Sequence, residues 1–375
     1  MATMKRSGSV LLEFDPNLNK LSKGKELRDG LSVAVQIGDT LWVANDETIS
    51  LERLSRGNNR DGVQRYGQHT QFRLNDFLRL PMPPPSDPEA KDGIEEVDVE
   101  GLDYSSGYLW VVGSHSLKRH KPDEKDSVAK NIKGLAQISS DGNRFLLGRI
   151  PLDQDTWSPV KQTKQDGKRL TAARLRGDDK GNDLTRDVSK DKLLRDFLTL
   201  PGKDNGFDIE GIAVSGSRVL LGLRGPVLRG WAVLLELELK EDKANTLKLK
   251  RIGPDKERYR RHFLNLRGLG IRDLCVQGDD LLLLAGPTAD LDGPVTVFRW
   301  PGGAQPEDES FVFAKDLPVV LDIPYGTGAD HAEGITLFSS DGGESRSLLV
   351  VYDSAAPERQ KGTQGVEADI FDLPT

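Results

Sequence analysis

The sequence predicts an all-β fold, a five-bladed β-propeller, from three observations. A short motif recurs down the chain. Each copy leads a series of apolar segments too short for helices. The N-terminal segment Ser9–Phe14 is a lone strand with no sheet of its own.

The motif reads Asp98-Val-Glu-Gly-Leu-Asp-Tyr104, Asp208-Ile-Glu-Gly-Ile-Ala-Val214 and His331-Ala-Glu-Gly-Ile-Thr-Leu337 in its three clearest copies. Weaker copies are Asp29-Gly-Leu-Ser-Val33 and Arg272-Asp-Leu-Cys-Val276. A glycine turn and a more apolar run follow each one, as in Leu109–Gly113 and Val219–Leu223. Short apolar runs between turn residues are the signature of buried strands. Two more strands are expected after the first four copies. They are Ile49–Leu54 with Gln71–Leu74, Gly134–Ser139 with Arg144–Ile150, Trp231–Leu239 with Thr246–Ile252, and Pro294–Trp300 with Phe311–Lys315.

Successive copies lie 71, 110, 62 and 61 residues apart. A four-stranded unit at this spacing is a propeller blade. The long interval holds an insertion, 153–205, in which Ser189–Leu200 has helical spacing. The last unit has strands at Glu333–Phe338, Ser347–Asp353 and Val366–Leu373 and lacks a fourth, which Ser9–Phe14 would supply. Closing the ring in this way removes exposed strand edges. The whole chain, 1–375, then reads as one domain. Six blades stay open if the insertion hides degenerate strands.

Composition narrows the function. Hydrophobic residues are 36% of the chain, charged residues 30%, and the net charge is −7. The 39 glycines suit a chain with many turns. A single cysteine, Cys275, excludes an internal disulfide and a cysteine-rich metal site. No apolar run is long enough for a membrane helix, and Met1–Phe14 lacks the core of a signal peptide. A cytoplasmic protein is the simplest expectation, with no membrane partner. Basic stretches such as Lys118-Arg-His-Lys121 and Lys161–Arg176 are local, so no nucleic-acid partner is expected. Pro81–Pro85 reads as a stiff surface linker.

Three stretches resemble a bacterial family catalogued as a domain of unknown function. They are Val97-Asp-Val-Glu-Gly-Leu102, Leu109-Trp-Val-Val-Gly-Ser-His115, and Asn205-Gly-Phe-Asp-Ile-Glu-Gly211 with Gly222-Leu-Arg-Gly-Pro-Val-Leu-Arg-Gly-Trp231. The resemblance covers nearly the whole chain. It implies a propeller and supplies no activity, so function must come from the site. The Glu-Gly-(Ile/Leu) motif is also similar to phytase-like hydrolase propellers, over a short stretch only.

Strand order places a set of charged residues around one mouth of the central channel. The start of each first strand brings Glu100, Glu210, Arg272, His331 and Glu333. The end of each second strand brings Asp46 and Glu47, His115, Arg224 with Arg229, Thr288 with Asp290, and Asp353. Carboxylates at this density suit a hard cation, so Glu100, Glu210, Glu333 and His331 are candidate ligands for calcium or another divalent ion. Arg224, Arg229 and Arg272 are candidate anion clamps, with Asp46, Glu47 and Asp353 completing a ligand site. His115 and Glu210 are candidates for proton transfer. Two functions follow. One is a metal-supported hydrolase or binder acting on an anionic, phosphorylated small molecule. The other is a noncatalytic interaction propeller whose charges pair blade to blade.

Overall fold

The structure, a computed structural model, describes residues 6–59, 62–82, 96–289, 291–325, 330–341, 343 and 345–373. Asp290 and most of the Pro81–Pro85 segment lie outside the described residues. Strands dominate, and their pairing forms five antiparallel four-stranded units in a propeller-like arrangement.

The first unit is Leu31–Ile37, Thr40–Asn45, Ser50–Arg56 and Gln64–Arg73. The second is Val99–Ser105, Tyr108–Gly113, Leu147–Pro151 and Ala173–Leu175. The third is Asp208–Ser215, Arg218–Gly225, Ala232–Glu241 and Tyr259–Leu264. The fourth is Gly270–Gln277, Asp280–Gly286, Val295–Trp300 and Val319–Ile323. The fifth is His331–Phe338, Ser347–Asp353, Gly365–Asp372 and the N-terminal Gly8–Glu13. That N-terminal strand also runs parallel to Gln64–Arg73 at the edge of the first unit. The five first strands adjoin one another in cyclic order, the fifth touching the first.

The apolar runs become strands because their side chains are buried on both faces. Leu41, Val43, Leu109, Val111, Leu220, Leu221, Leu282 and Leu349 have no exposed surface. Neighbouring first strands approach closely where the motif has glycine. A Cβ on Gly101 would lie 2.9 Å from the backbone nitrogen of Ile212, and one on Gly211 would lie 2.9 Å from Cα of Asp273. The glycine of the Glu-Gly motif is therefore a unit-to-unit packing requirement.

The outer strands differ from the expectation. Gly134–Ser139 is not the third strand of the second unit: helix Val128–Leu135 ends in it, Ile138–Ser139 pairs with Lys118–Arg119 in a separate ribbon, and Leu147–Pro151 is the strand. Its fourth strand, Ala173–Leu175, lies inside 153–205, so that segment is part of the sheet. The helical spacing at Ser189–Leu200 gives only a 3-10 turn at Arg195–Thr199, after a short α-helix at Asp183–Val188. Thr246–Leu249 and Ser310–Val312 join neighbouring units by parallel pairing. The fourth strands there are Tyr259–Leu264 and Val319–Ile323. Edge strands are short and partly exposed, so their hydrophobic signal is weak. No helix among the described residues is long and apolar enough to cross a membrane.

Candidate functional site

Every first strand carries a register shift at the same level. The shifts fall between Leu31 and Val33, Val99 and Gly101, Ile209 and Gly211, Ile271 and Asp273, and Ala332 and Gly334. A bulge leaves one residue out of the ladder and re-aims its side chain. The residues so placed are Ser32, Glu100, Glu210, Arg272 and Glu333. The Glu-Gly motif is thus a bulge motif, with the acidic residue turned out of the sheet and the glycine giving room to the next strand.

On one side of this ring the charges form a continuous chain. Asp208 pairs with Arg224. Arg224 Nη1 lies 2.6 Å from Glu210 Oε1. Glu210 Oε2 lies 3.0 Å from Arg272 Nη1, and Arg272 also pairs with Glu333. This chain crosses the third, fourth and fifth units. Burial acts to lower the Arg224 and Arg272 pKa values, but the adjoining carboxylates outweigh it and hold both above the ordinary arginine range. Both guanidiniums are committed to protein carboxylates. In the second unit, Arg144 Nη1 answers Asp98 at 2.8 Å and its Nη2 answers Glu96 at 3.1 Å.

Glu100 and Asp46 stand apart. Neither side chain has an ion-paired or hydrogen-bonded partner among the described residues. Burial drives the Glu100 pKa well above the usual carboxylate range, and Asp98, Glu210, Glu333 and Asp46 add to the shift. Burial does the same to Asp46, followed by Asp98, Asp353 and Glu333. Seven carboxylates (Asp46, Asp98, Glu100, Asp208, Glu210, Glu333, Asp353) therefore meet three guanidiniums (Arg144, Arg224, Arg272). Among these described groups the carboxylates outnumber the guanidiniums, with Lys203 the further cation at the cleft.

Other expected site residues fall elsewhere. Arg229 is exposed on a turn with left-handed backbone, φ 51°, and joins no clamp with Arg224. Glu47 is exposed and pairs with Lys25. His115 is buried with both ring nitrogens engaged. Nδ1 donates to the Gly113 carbonyl at 2.7 Å, and Nε2 accepts from Asn182 Nδ2 at 2.6 Å. Burial pushes its pKa down to about 4, so the ring stays neutral. Asn182 in turn caps helix Asp183–Val188. His115 is a strut between the second unit and the 153–205 segment, and its geometry gives it no access to a ligand.

His331 lies at the rim, 3.5 Å from Asp292. The proposed metal set of Glu100, Glu210, Glu333 and His331 is not brought together: Arg272 stands between Glu210 and Glu333. Among the described residues no three His, Cys, Asp or Glu side chains are grouped as metal ligands would be.

The mouth opens sideways into a cleft of about 170 Å³ over the fourth and fifth units. Glu333, Asp353, Arg224 and Arg272 line it at the channel side. Lys203, Lys121, Leu291 and Tyr325 line it farther out. Lys203 and Arg144 escaped the sequence reading because both come from irregular connections with no repeat to flag them. The one signal for Lys203 is its place in Pro201-Gly-Lys-Asp204, directly before a motif copy.

The sequence matches a family described as "Protein of unknown function (DUF3616)" over residues 30–369. The chain belongs to this family. No curated protein matches it in sequence. Among solved structures, a Myxococcus xanthus glutaminyl cyclase is similar at 10% identity and TM-score 0.38, covering 99% of this chain and 100% of that one. The β-propeller domain of Nup133 from Vanderwaltozyma polyspora is similar at 9% identity and TM-score 0.33, covering 98% and 83%. Hydrazine synthase from Kuenenia stuttgartiensis is similar at 9% identity and TM-score 0.31; 88% of this chain is covered, which spans only 58% of that one. Likenesses at these scores bear on neither mechanism nor ligand.

Proposed function

We propose that this member of the DUF3616 family is a five-bladed propeller that binds a small cationic ligand at its acidic channel mouth. One observation carries the reading: Glu100 and Asp46 are unanswered while each arginine beside them is already bound to two carboxylates. Packing seven carboxylates around three guanidiniums is unfavourable unless a cation or protons enter. A positive ligand removes that repulsion, and a phosphorylated one would add to it. The ligand could be an organic ammonium or a hydrated divalent ion held without tight inner-sphere geometry, and this keeps calcium within the proposal. No hydrolytic step is assigned, because the one histidine expected to move a proton is a neutral strut.

The second reading, a propeller whose charges only fasten blade to blade, is favoured by the Asp208–Arg224–Glu210–Arg272–Glu333 chain. Calorimetric titration with an alkylammonium ion, calcium and inorganic phosphate separates the readings. The first expects binding of a cation, at least tenfold weaker in Glu100→Gln, and none of phosphate. Phosphate binding without cation binding overturns it. Binding of none of the three supports the fastening reading.

A further inference from the structure

The lateral cleft holds more than the acidic mouth needs. At its channel side stand Glu333 and Asp353. Farther out stands Lys203, which is exposed and has no ion pair or hydrogen bond among the described residues. The two signs lie close enough to interact, because the Lys203 charge opposes the burial that raises both Glu333 and Asp353. Two large apolar side chains also line the cleft. Leu291 is 68% exposed and Tyr325 54% exposed, and both line the cavity. Large apolar side chains left open to water inside a charged cleft contribute nothing to the fold, and covering either would be favourable.

We propose that the ligand is a zwitterion with an apolar side group, of the class of a free α-amino acid. This rests on the cationic-ligand reading and names the rest of the molecule. The ammonium end sits against Asp353 and Glu333, the two carboxylates at the channel side of the cleft. The carboxylate end turns to Lys203. The side group covers Leu291 and Tyr325. A ligand carrying only the ammonium satisfies the acidic pole and leaves Lys203 and the apolar wall as they were. A ligand carrying only a carboxylate meets the surplus of negative charge. The cleft is small, about 170 Å³, below the several hundred Å³ usual for drug-sized ligands.

The test is calorimetric titration of the full chain with three probes of one carbon skeleton: leucine, 3-methylbutylamine and 4-methylpentanoate. Leucine is expected to bind at least tenfold more tightly than the amine, and the acid to show no binding. Lys203→Met should bring leucine down to the affinity of the amine while leaving the amine unchanged. Asp353→Asn should weaken both. If the amine binds as tightly as leucine, or Lys203→Met leaves leucine unchanged, the zwitterion is wrong and the cationic mouth stands. If neither leucine nor the amine binds, the zwitterion fails, and the calcium titration alone decides the cationic reading. A dipeptide such as Leu-Leu that outbinds leucine supports the zwitterion with a wider charge separation.

Discussion

The two sides of the channel mouth solve the same problem differently. In the third, fourth and fifth units, the bulge positions and their neighbours alternate in sign, and each carboxylate from Asp208 to Glu333 touches an arginine. In the first and second units the bulge positions are Ser32 and Glu100. Ser32 donates to the Val99 carbonyl at 2.7 Å, which links the two first strands. Glu100 has no such partner. One side is a closed electrostatic lattice; the other holds charge that only a ligand or a proton can neutralise. A repeated backbone device can thus close a charge network in some units and leave a carboxylate unpaired in another, depending on which side chain fills it.

The largest effect is expected from breaking the lattice. Arg224→Ala leaves Asp208 and Glu210 buried with one cation fewer, which should cost about 3–5 kcal/mol. Urea unfolding should show it as a lower midpoint at unchanged slope; a loss under 1 kcal/mol would mean the lattice is not structural. On the open side the sign reverses. Glu100→Gln removes repulsion and should raise the Tm at pH 8 by about 2 °C, on the order of a kcal/mol. The folded pKa of Glu100 is raised, so the native state holds its proton more tightly than the unfolded chain does. Its contribution is favourable at low pH and is lost as pH rises from the ordinary carboxylate range through the folded value. The gain from Glu100→Gln should therefore vanish near pH 4.

Asp103 gives a smaller, separate test. It accepts hydrogen bonds from the Val214 and Tyr104 amides at 2.6 and 2.7 Å. Burial outweighs these bonds and raises its pKa to about 7. Stability should fall between about pH 4 and 7 from this group, and Asp103→Asn should flatten that part of a Tm–pH profile. The smallest effect belongs to Arg229→Ala. An exposed turn residue outside the lattice should change stability by under about 0.5 kcal/mol, and the same titrations should show unchanged ligand affinity.

The inner half of the fold was legible because its signal is doubled. Each first strand carries both an apolar pattern and the Glu-Gly bulge, and both follow from close packing around an axis. The outer strands were misplaced because edge strands bury one face and pair across units, as Ser310–Val312 does with Tyr259–Leu264. At the site, Glu210, Arg224, Arg272 and Glu333 form one chain of pairs, and Glu100, Asp46 and Asp353 lie near enough to act on it through their charge, while the expected metal ligands are not grouped. His115 could not be read correctly, because its burial depends on Asn182, 67 residues later in a segment without repeat. Pairing is likewise invisible in sequence. Nothing in residue order says that Arg272 bridges Glu210 to Glu333 and so separates two expected metal ligands.

The N-terminal strand has a consequence for how the protein is made. Gly8–Glu13 pairs with Gly365–Asp372, so the strand that opens the ring waits for the strand that closes it. At usual elongation rates the wait is roughly 20–70 s. During it Val10, Leu11 and Leu12, all buried in the finished ring, have no partner strand from the fifth unit. Ring closure therefore waits for synthesis of the fifth unit. Until it happens the nascent chain shows a sticky, β-forming hexapeptide, a natural target for a chaperone that binds short apolar segments.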